Sequence, residues 1–301
     1  MGAAGTVGAM RDRWLVAAVV AVALSTVACA AGGTSADAPG TTTTSSTAPA
    51  TTDTSTAPAA PPTTAPDPYA RPDWLGTRVL AAGPDGTAAA QPTPVELDPR
   101  QLATVDVLPP PADGGFHASV SPVPPDVAAR SSWQPTCPVT LDELRYVTVS
   151  FRGFDGKAHT GELLVHRDGA DGFVEVFRQL FDAGYPIEEM RITSAADIDA
   201  PPTGDGNNTS AFACRPTRGS TSWSSHAYGR AVDVNPFQNP YHSGERVLPE
   251  LATSYLDRGN VRPGMVQPGD VVVQGFGGIG WAWGGSWTRP IDYMHFSADN
   301  R

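Results

Sequence analysis

Lysine is nearly missing from this chain, since Lys157 is the only lysine among its 20 basic residues. Acylating serine peptidases of the penicillin-binding type need a Ser-x-x-Lys motif, and the residue three positions before Lys157 is Phe154. That mechanism is therefore excluded. The basic residues are also outnumbered by 31 acidic ones, which leaves a net charge of -11. Because phosphate binding requires basic stripes, we expect no nucleic acid among the partners.

A hydrophobic run of membrane-spanning length is lacking at the N-terminus, where the apolar stretch Trp14 to Leu24 is too short for a comfortable anchor. With Arg11 and Arg13 before it and small residues around Cys29 after it, the stretch predicts a secretory signal over residues 1–30. The run Thr26-Val27-Ala28-Cys29 favours a lipoprotein signal with acylation of Cys29, and an ordinary small-x-small cleavage site is the alternative. We therefore expect an exported, extracytoplasmic protein, either membrane-anchored through Cys29 or released.

Cysteine is scarce, with three in the chain. Cys29 is either acylated or lost with the signal, which leaves Cys137 and Cys214. In an oxidising compartment an even pair predicts one disulfide bond. The alternative is a catalytic cysteine, which would need a free thiolate.

The composition changes along the chain and predicts four regions. After the signal, residues 31–66 are almost entirely Thr, Ala, Pro, Ser and Gly, and such a segment cannot bury enough apolar surface to offset its ordering entropy. We predict a disordered linker there. Prolines interrupt the apolar groups of residues 67–126, which favours an irregular arm. Residues 127–301 are predicted to form the folded catalytic domain.

Within residues 127–301 the apolar periodicity predicts a mixed fold. Alternation predicts a hairpin of strands Arg145 to Phe151 and Gly161 to His166, and near-helical spacing predicts a helix from Asp171 to Ala183 with Asp171 as N-cap. A long loop is predicted from Ala195 to Ser225. Further strands are predicted at Met190 to Thr193, Ala231 to Asn235, Val271 to Gln274 and Asp292 to Ser297. The expected class is α+β, with a small antiparallel sheet flanked by helices.

Two short motifs contain residues with metal chemistry. One contains His226 and Asp233, and the other contains Asp292 and His295. Two imidazoles and one carboxylate suit a catalytic zinc ion with one position left open, and a further carboxylate beside that position can act as general base toward water. His-Glu-x-x-His is absent, which excludes the common helical zinc-peptidase site. Taken singly, each residue could instead serve as a structural hydrogen-bonding or ion-pairing group, and the joint pattern favours the metal.

The same residues resemble a known family. The stretch Ser224-x-His226-x-x-Gly229-x-Ala231-x-Asp233 is followed by Trp283-Gly284-Gly285-x-Trp287 and by Asp292-x-x-His295-Phe296. This order resembles the D-alanyl-D-alanine carboxypeptidase metallopeptidases of the VanY type, especially their L-alanyl-D-glutamate endopeptidase branch. The resemblance covers roughly residues 185–298 and implies a hedgehog/D-Ala-D-Ala peptidase-like fold.

The resemblance also implies roles for individual residues. One Zn²⁺ would be held by His226, Asp233 and His295, with Asp292 as general base. The substrates would be the stem peptides of peptidoglycan, cleaved as by a D,D-carboxypeptidase or an L-Ala-D-Glu endopeptidase. A catalytically silent cell-wall-binding or regulatory protein on the same fold is the alternative. We expect a monomer.

An arginine upstream of the first ligand is also implied, as a substrate-binding residue. The usual Tyr-Arg-Ser context is not recognisable, so Arg215 is the first choice, with Arg191 and Arg218 as alternatives. A guanidinium there would hold a substrate carboxylate or polarise the scissile carbonyl. An ordinary loop salt bridge is the competing interpretation.

Overall fold

Four helices and eleven strands make up the regular structure of the computed structural model, which describes residues 67–83, 87–217 and 220–301. The helices are α1 (Pro125–Arg130), α2 (Ala170–Asp182), α3 (Ala195–Asp199) and α4 (Val271–Gly278). The strands are β1 (Ala118–Ser121), β2 (Leu144–Arg152), β3 (Ala158–His166), β4 (Glu189–Met190), β5 (Asn208–Thr209), β6 (Ala231–Asp233), β7 (Tyr241–Ser243), β8 (Arg246–Leu248), β9 (Ala282–Trp283), β10 (Ile291–Asp292) and β11 (His295–Ser297). The predicted signal, Cys29, the predicted linker and Arg218 lie outside the described residues.

The predicted hairpin is the largest pairing in the fold. Strands β2 and β3 pair antiparallel, with Val147 opposite Leu163, and β1 adds to the free edge of β2. Two further three-stranded sheets have the orders β10-β7-β8 and β6-β11-β9, and β4 and β5 form a two-stranded sheet. The predicted α+β class with small antiparallel sheets is confirmed.

Helix α2 covers the hairpin with its apolar face. Phe173, Val176, Phe177 and Leu180 are at most 1% exposed, and their i, i+3, i+4, i+7 spacing places them on one side of a helix. The predicted N-cap was wrong. The helix begins at Ala170 after a 3-10 turn, so Asp171 lies in the first turn, where its carboxylate still interacts favourably with the helix dipole.

The predicted strand Val271 to Gln274 was also wrong, since these residues open helix α4. Three consecutive valines favour a strand by propensity. The local capping outweighs that preference, because the Asp270 carboxylate accepts hydrogen bonds from the backbone of Val272 and Val273, both at 3.0 Å. Packing then fixes the helix, with the Phe276 ring centred 5.8 Å from that of Phe173.

Three other predicted elements are interrupted in the structure. The strand from Met190 shortens to β4, which pairs in parallel with β5, and the predicted loop contains α3 and β5. The strand predicted from Asp292 to Ser297 splits into β10 and β11, which belong to different sheets. Strands of two or three residues leave too little alternation to be read from a sequence.

The described residues between Asp67 and Val127 lie in the same compact unit as the later ones. Leu97 and Leu102 pack in one buried cluster with Phe237 and Tyr255. Below them the buried guanidinium of Arg100 donates to both carboxylate oxygens of Glu188, each at 2.7 Å. The arm therefore meets the later residues through both an apolar cluster and a buried ion pair.

The predicted disulfide is present between Cys137 and Cys214, with their Cα atoms 5.8 Å apart. Neither cysteine therefore offers a free thiolate. Among the described residues, no helix has the length and apolar character needed to cross a membrane.

Candidate metal centre

His226 is held in a tight turn. Ser224 caps a 3-10 turn over Ser225–Tyr228, and Gly229 ends it with φ +64°. A Cβ at Gly229 would lie 2.6 Å from the backbone nitrogen of His166. Glycine is needed there both for the left-handed conformation and for the close approach of two backbones.

Asp233 and His295 face each other across two strands. They are direct partners in the antiparallel register of β6 and β11. Their neighbours Val232 and Phe296 are fully buried in the core, so alternation turns Asp233 and His295 to the opposite face, toward a cleft.

The three side chains converge on one point. His226 Nε2 lies 3.3 Å from both Asp233 Oδ1 and His295 Nδ1, and His295 Nδ1 lies 3.1 Å from Asp233 Oδ1. Ligand atoms at zinc distances in a tetrahedral site are about 3.3 Å apart. Among the described residues these three form one group able to hold a metal ion, and both their spacing and their N, O, N donor set fit zinc.

The outward-facing nitrogen of each histidine has its own acceptor. His226 Nδ1 lies 2.5 Å from the main-chain oxygen of Ala211, and His295 Nε2 lies 3.1 Å from that of Arg301. Carbonyl oxygens accept only, so the proton sits on the outward nitrogen of each ring. Once the inward nitrogens have released their protons, Nε2 of His226 and Nδ1 of His295 would offer their lone pairs to a metal.

Asp233 and the two histidines strongly affect one another's pKa values. Burial opposes ionisation of Asp233, but the charges and hydrogen bonds of His226 and His295 outweigh it and hold the Asp233 pKa well below its usual range. Burial likewise opposes the charged form of His295, yet the bond to Asp233 raises the pKa of His295 to about 9. The Asp233 carboxylate is therefore held ionised, and a metal cation would take the place of the proton that His295 holds in its absence.

Asp292 stands beside this cluster on β10. Its residue surface is partly exposed, but its Oδ1 is buried and has no hydrogen-bond partner among the described residues. Burial raises the Asp292 pKa to about 7, and the charge of Asp233 adds to the rise, while His295 and Arg215 oppose it. The cleft therefore contains a carboxyl group with one unpaired oxygen and, without a metal, a pKa near neutrality.

The three candidate arginines differ in their placement. Arg215 follows the disulfide-bonded Cys214, lines the cleft and acts electrostatically on Asp292. Arg191 also lines the cleft, but its guanidinium is bound to Glu189 at 2.5 Å and Asp197 at 2.8 Å. Arg218 is not among the described residues. The placement favours Arg215.

The cleft has a volume of about 1080 Å³. Tyr241 and Leu248 follow Asp292 in register across β7 and β8, so the three side chains share one face of that sheet and line one wall. Arg71 and Gly76 of the arm line it as well. No sequence pattern predicts these four residues, because three-residue strands and an irregular arm show no hydrophobic periodicity.

A family model described as D-alanyl-D-alanine carboxypeptidase matches residues 218–298. No curated protein and no solved structure gave a match. The matched segment contains His226, Asp233, Asp292 and His295, while Arg215 precedes it and the last three residues follow it.

The match and the geometry agree on the same part of the chain. The family is one of metal-dependent peptidases acting on cell-wall peptides, and the clustered His-Asp-His group lies wholly inside the matched residues. The resemblance identified from the two motifs is thus confirmed, since residues 218–298 match the model of the D-alanyl-D-alanine carboxypeptidase family.

Proposed function

We propose that this protein is an exported zinc peptidase that hydrolyses peptide bonds in the stem peptides of peptidoglycan. The observation that carries the proposal is the convergence of three ligand atoms, 3.1 to 3.3 Å apart, next to the unpaired buried oxygen of Asp292. Structural zinc sites are closed by four protein ligands, whereas three ligands leave a position for catalysis. The family match to residues 218–298 supports the same reaction class.

His226, Asp233 and His295 would hold the zinc ion, which supplies a Lewis acid for activating water and polarising a carbonyl. Asp292 accepts a proton from the attacking water and passes it to the leaving amine. The surroundings suit this role, because Oδ1 of Asp292 is buried in the cleft without a hydrogen-bond partner among the described residues.

Arg215 is the proposed substrate-binding residue. Its positive charge acts on Asp292 from within the same cleft. A guanidinium in that place binds a substrate carboxylate or a carbonyl oxygen in which negative charge develops. The disulfide at Cys214 restrains the backbone next to it, which limits the entropy lost when a substrate binds.

The proposal includes the cellular setting. The disulfide requires an oxidising compartment, which fits export, and acylation of Cys29 would keep the domain at the membrane near its wall substrate. We propose a monomer with peptidoglycan peptides as its partner and no nucleic acid. Both D,D-carboxypeptidase and L-Ala-D-Glu endopeptidase cleavage fit the site, and product masses distinguish them.

The test is hydrolysis of purified peptidoglycan and defined stem peptides by the zinc-loaded protein, with mass spectrometry of the fragments. Replacing Asp292 with Ala should lower the rate by about 10²–10⁴-fold, because a general base is lost, while one zinc ion per chain stays bound. The exposed Asp126 at the start of α1 provides a matched control, and Asp126→Ala should hydrolyse as the parent does.

Two outcomes would contradict the proposal. Loss of zinc from Asp292→Ala would make Asp292 a ligand and remove it as general base. A parent protein that binds zinc and wall fragments but releases no product would be the catalytically silent wall-binding protein.

A further inference from the structure

The last residues of the chain fold back onto the His295 ring. The main-chain oxygen of Arg301 lies 3.1 Å from His295 Nε2, on the side of the ring opposite the metal-facing Nδ1. The turn that allows this passes through Asn300, whose φ is +55°, and the Arg301 backbone nitrogen donates to the Ser297 hydroxyl at 3.2 Å. We call residues 299–301 the tail.

A buried hydroxyl ties the tail to the other histidine. Ser225 is 5% exposed and immediately precedes His226. Its Oγ lies 2.9 and 3.0 Å from the two carboxylate oxygens of Asp299 and 3.1 Å from the main-chain oxygen of Arg301. The Ser225 hydroxyl therefore donates to acceptors on two residues of the tail. This bond links the turn that contains His226 to the residue whose main-chain oxygen orients His295.

An aromatic contact completes the arrangement. The indole nitrogen of Trp287 donates to Asn300 Oδ1 at 2.8 Å, and the Trp287 ring centre lies 5.6 Å from that of His295. The Asp299 carboxylate also accepts from Arg301 Nε at 2.6 Å. The tail is thus held by a serine and a tryptophan, and its own ion pair contributes little because the Arg301 side chain is 70% exposed.

We propose that the tail is a positioning element for the metal ligand His295. The main-chain oxygen of Arg301 accepts a hydrogen bond from Nε2 and fixes the plane of the ring, so that Nδ1 would be the nitrogen offered to the metal once it has released its proton. Acceptors of this kind around a ligating histidine commonly change metal affinity by 10–100-fold. The inference rests on the proposed metal site but not on the substrate, and the tail lies beyond the residues that match the family.

The decisive pair of variants separates the main-chain oxygen from the side chain. Deleting Arg301 alone removes the acceptor and keeps the bond between Asn300 and Trp287, whereas Arg301→Ala keeps the main-chain oxygen and removes only the exposed guanidinium. We expect the deletion to weaken zinc binding by about 10–100-fold and Arg301→Ala to stay within about threefold of the parent. Ser225→Ala, which keeps the full tail but releases it, should fall between them, at about tenfold.

Zinc affinity is measured by competition with a chromophoric chelator on the full chain. Cobalt substitution gives a second readout, because the visible absorption bands of bound Co²⁺ report the ligand geometry. The deletion should shift these bands and Arg301→Ala should not. Thermal unfolding of the zinc-free proteins is the control for folding, and all variants should unfold near the parent temperature.

The inference is overturned if the deletion binds zinc as tightly as the parent with the same cobalt spectrum. It is also overturned if Arg301→Ala loses as much affinity as the deletion, since the side chain would then carry the effect. A parent that binds no zinc would refute the metal site and the tail together. A parent that binds zinc without hydrolysing wall peptides would refute the proposed function alone.

Discussion

The two histidines of the candidate metal centre meet the same chemical requirement by different means. Each keeps a proton on its outward nitrogen through a main-chain oxygen. For His226 the acceptor is Ala211, which is 2% exposed and belongs to the main hydrophobic core. For His295 it is Arg301, an exposed residue beyond the last strand. One ligand is oriented by the core and the other by a short tail.

The supports around Ala211 are correspondingly stronger. Phe212 donates its backbone N–H to Leu164 of β3 at 3.1 Å, and Ala213 donates to the main-chain oxygen of His226 at 3.2 Å. The disulfide at Cys214 then closes the segment. Disturbing the His226 side should therefore cost stability, whereas disturbing the His295 side should cost metal affinity with little loss of stability.

The largest expected effect comes from removing the crosslink on the His226 side. Cys137→Ser combined with Cys214→Ser opens a loop with a sequence separation of 77, and we expect the free energy of unfolding to fall by about 4 kcal/mol. Urea unfolding measures it, and reducing the parent should give the same loss. A loss below about 1 kcal/mol would mean that the unfolded chain without the disulfide is already restricted by residual structure.

A smaller effect is expected from the turn that presents His226. Gly229 and Gly184 have similar positive φ angles, +64° and +67°, but a Cβ would meet the His166 backbone nitrogen at 2.6 Å in the first and nothing within 4 Å in the second. Gly184→Ala should cost about 1 kcal/mol for the conformation alone. Gly229→Ala should cost about 3 kcal/mol, because strain and a backbone clash add.

Denaturant unfolding of the two glycine variants makes that comparison directly. Equal losses would show that the backbones of the turn and β3 can move apart without cost. In that case the backbone around His226 would not be more rigid than the tail that orients His295, and the proposed difference between the two histidines would be wrong.

The smallest effect is expected at Asp292, on the His295 side. Its folded pKa of about 7 exceeds its value of 3.8 without perturbation. The folded zinc-free protein therefore has no penalty from this group below pH 3.8, loses stability as the pH rises, and bears the full penalty above about pH 7. Asp292→Asn removes the charge but leaves an amide without a partner, so we expect a gain on the order of 1 kcal/mol above neutral pH.

The measurement is the difference in thermal stability between Asp292→Asn and the parent, both stripped of zinc, as a function of pH. The difference should grow between pH 4 and pH 7. A difference that stays constant over this range would show that Asp292 is ionised with its ordinary pKa in the folded protein. The raised pKa would then be wrong and could not support a role as general base.

Prediction from the sequence succeeded where the relevant contacts are local in the chain. The hairpin β2–β3 and helix α2 follow from alternation and helical spacing within single segments. It failed at α4, where three valines favour a strand but the carboxylate of Asp270 caps a helix. It also failed at β10 and β11, which are adjacent in the chain but pair with different partners.

The sequence alone determined which side chains have the chemistry for a metal site, since His226, Asp233, Asp292 and His295 lie in two motifs whose order and spacing are visible without coordinates. Only the tertiary structure decided how those side chains are held. The pairing of Asp233 with His295, the two main-chain acceptors and the buried oxygen of Asp292 all join residues distant in the chain or turned by packing. Main-chain oxygens are the same in every residue type, so no pattern of side chains marks the two that orient the ligands.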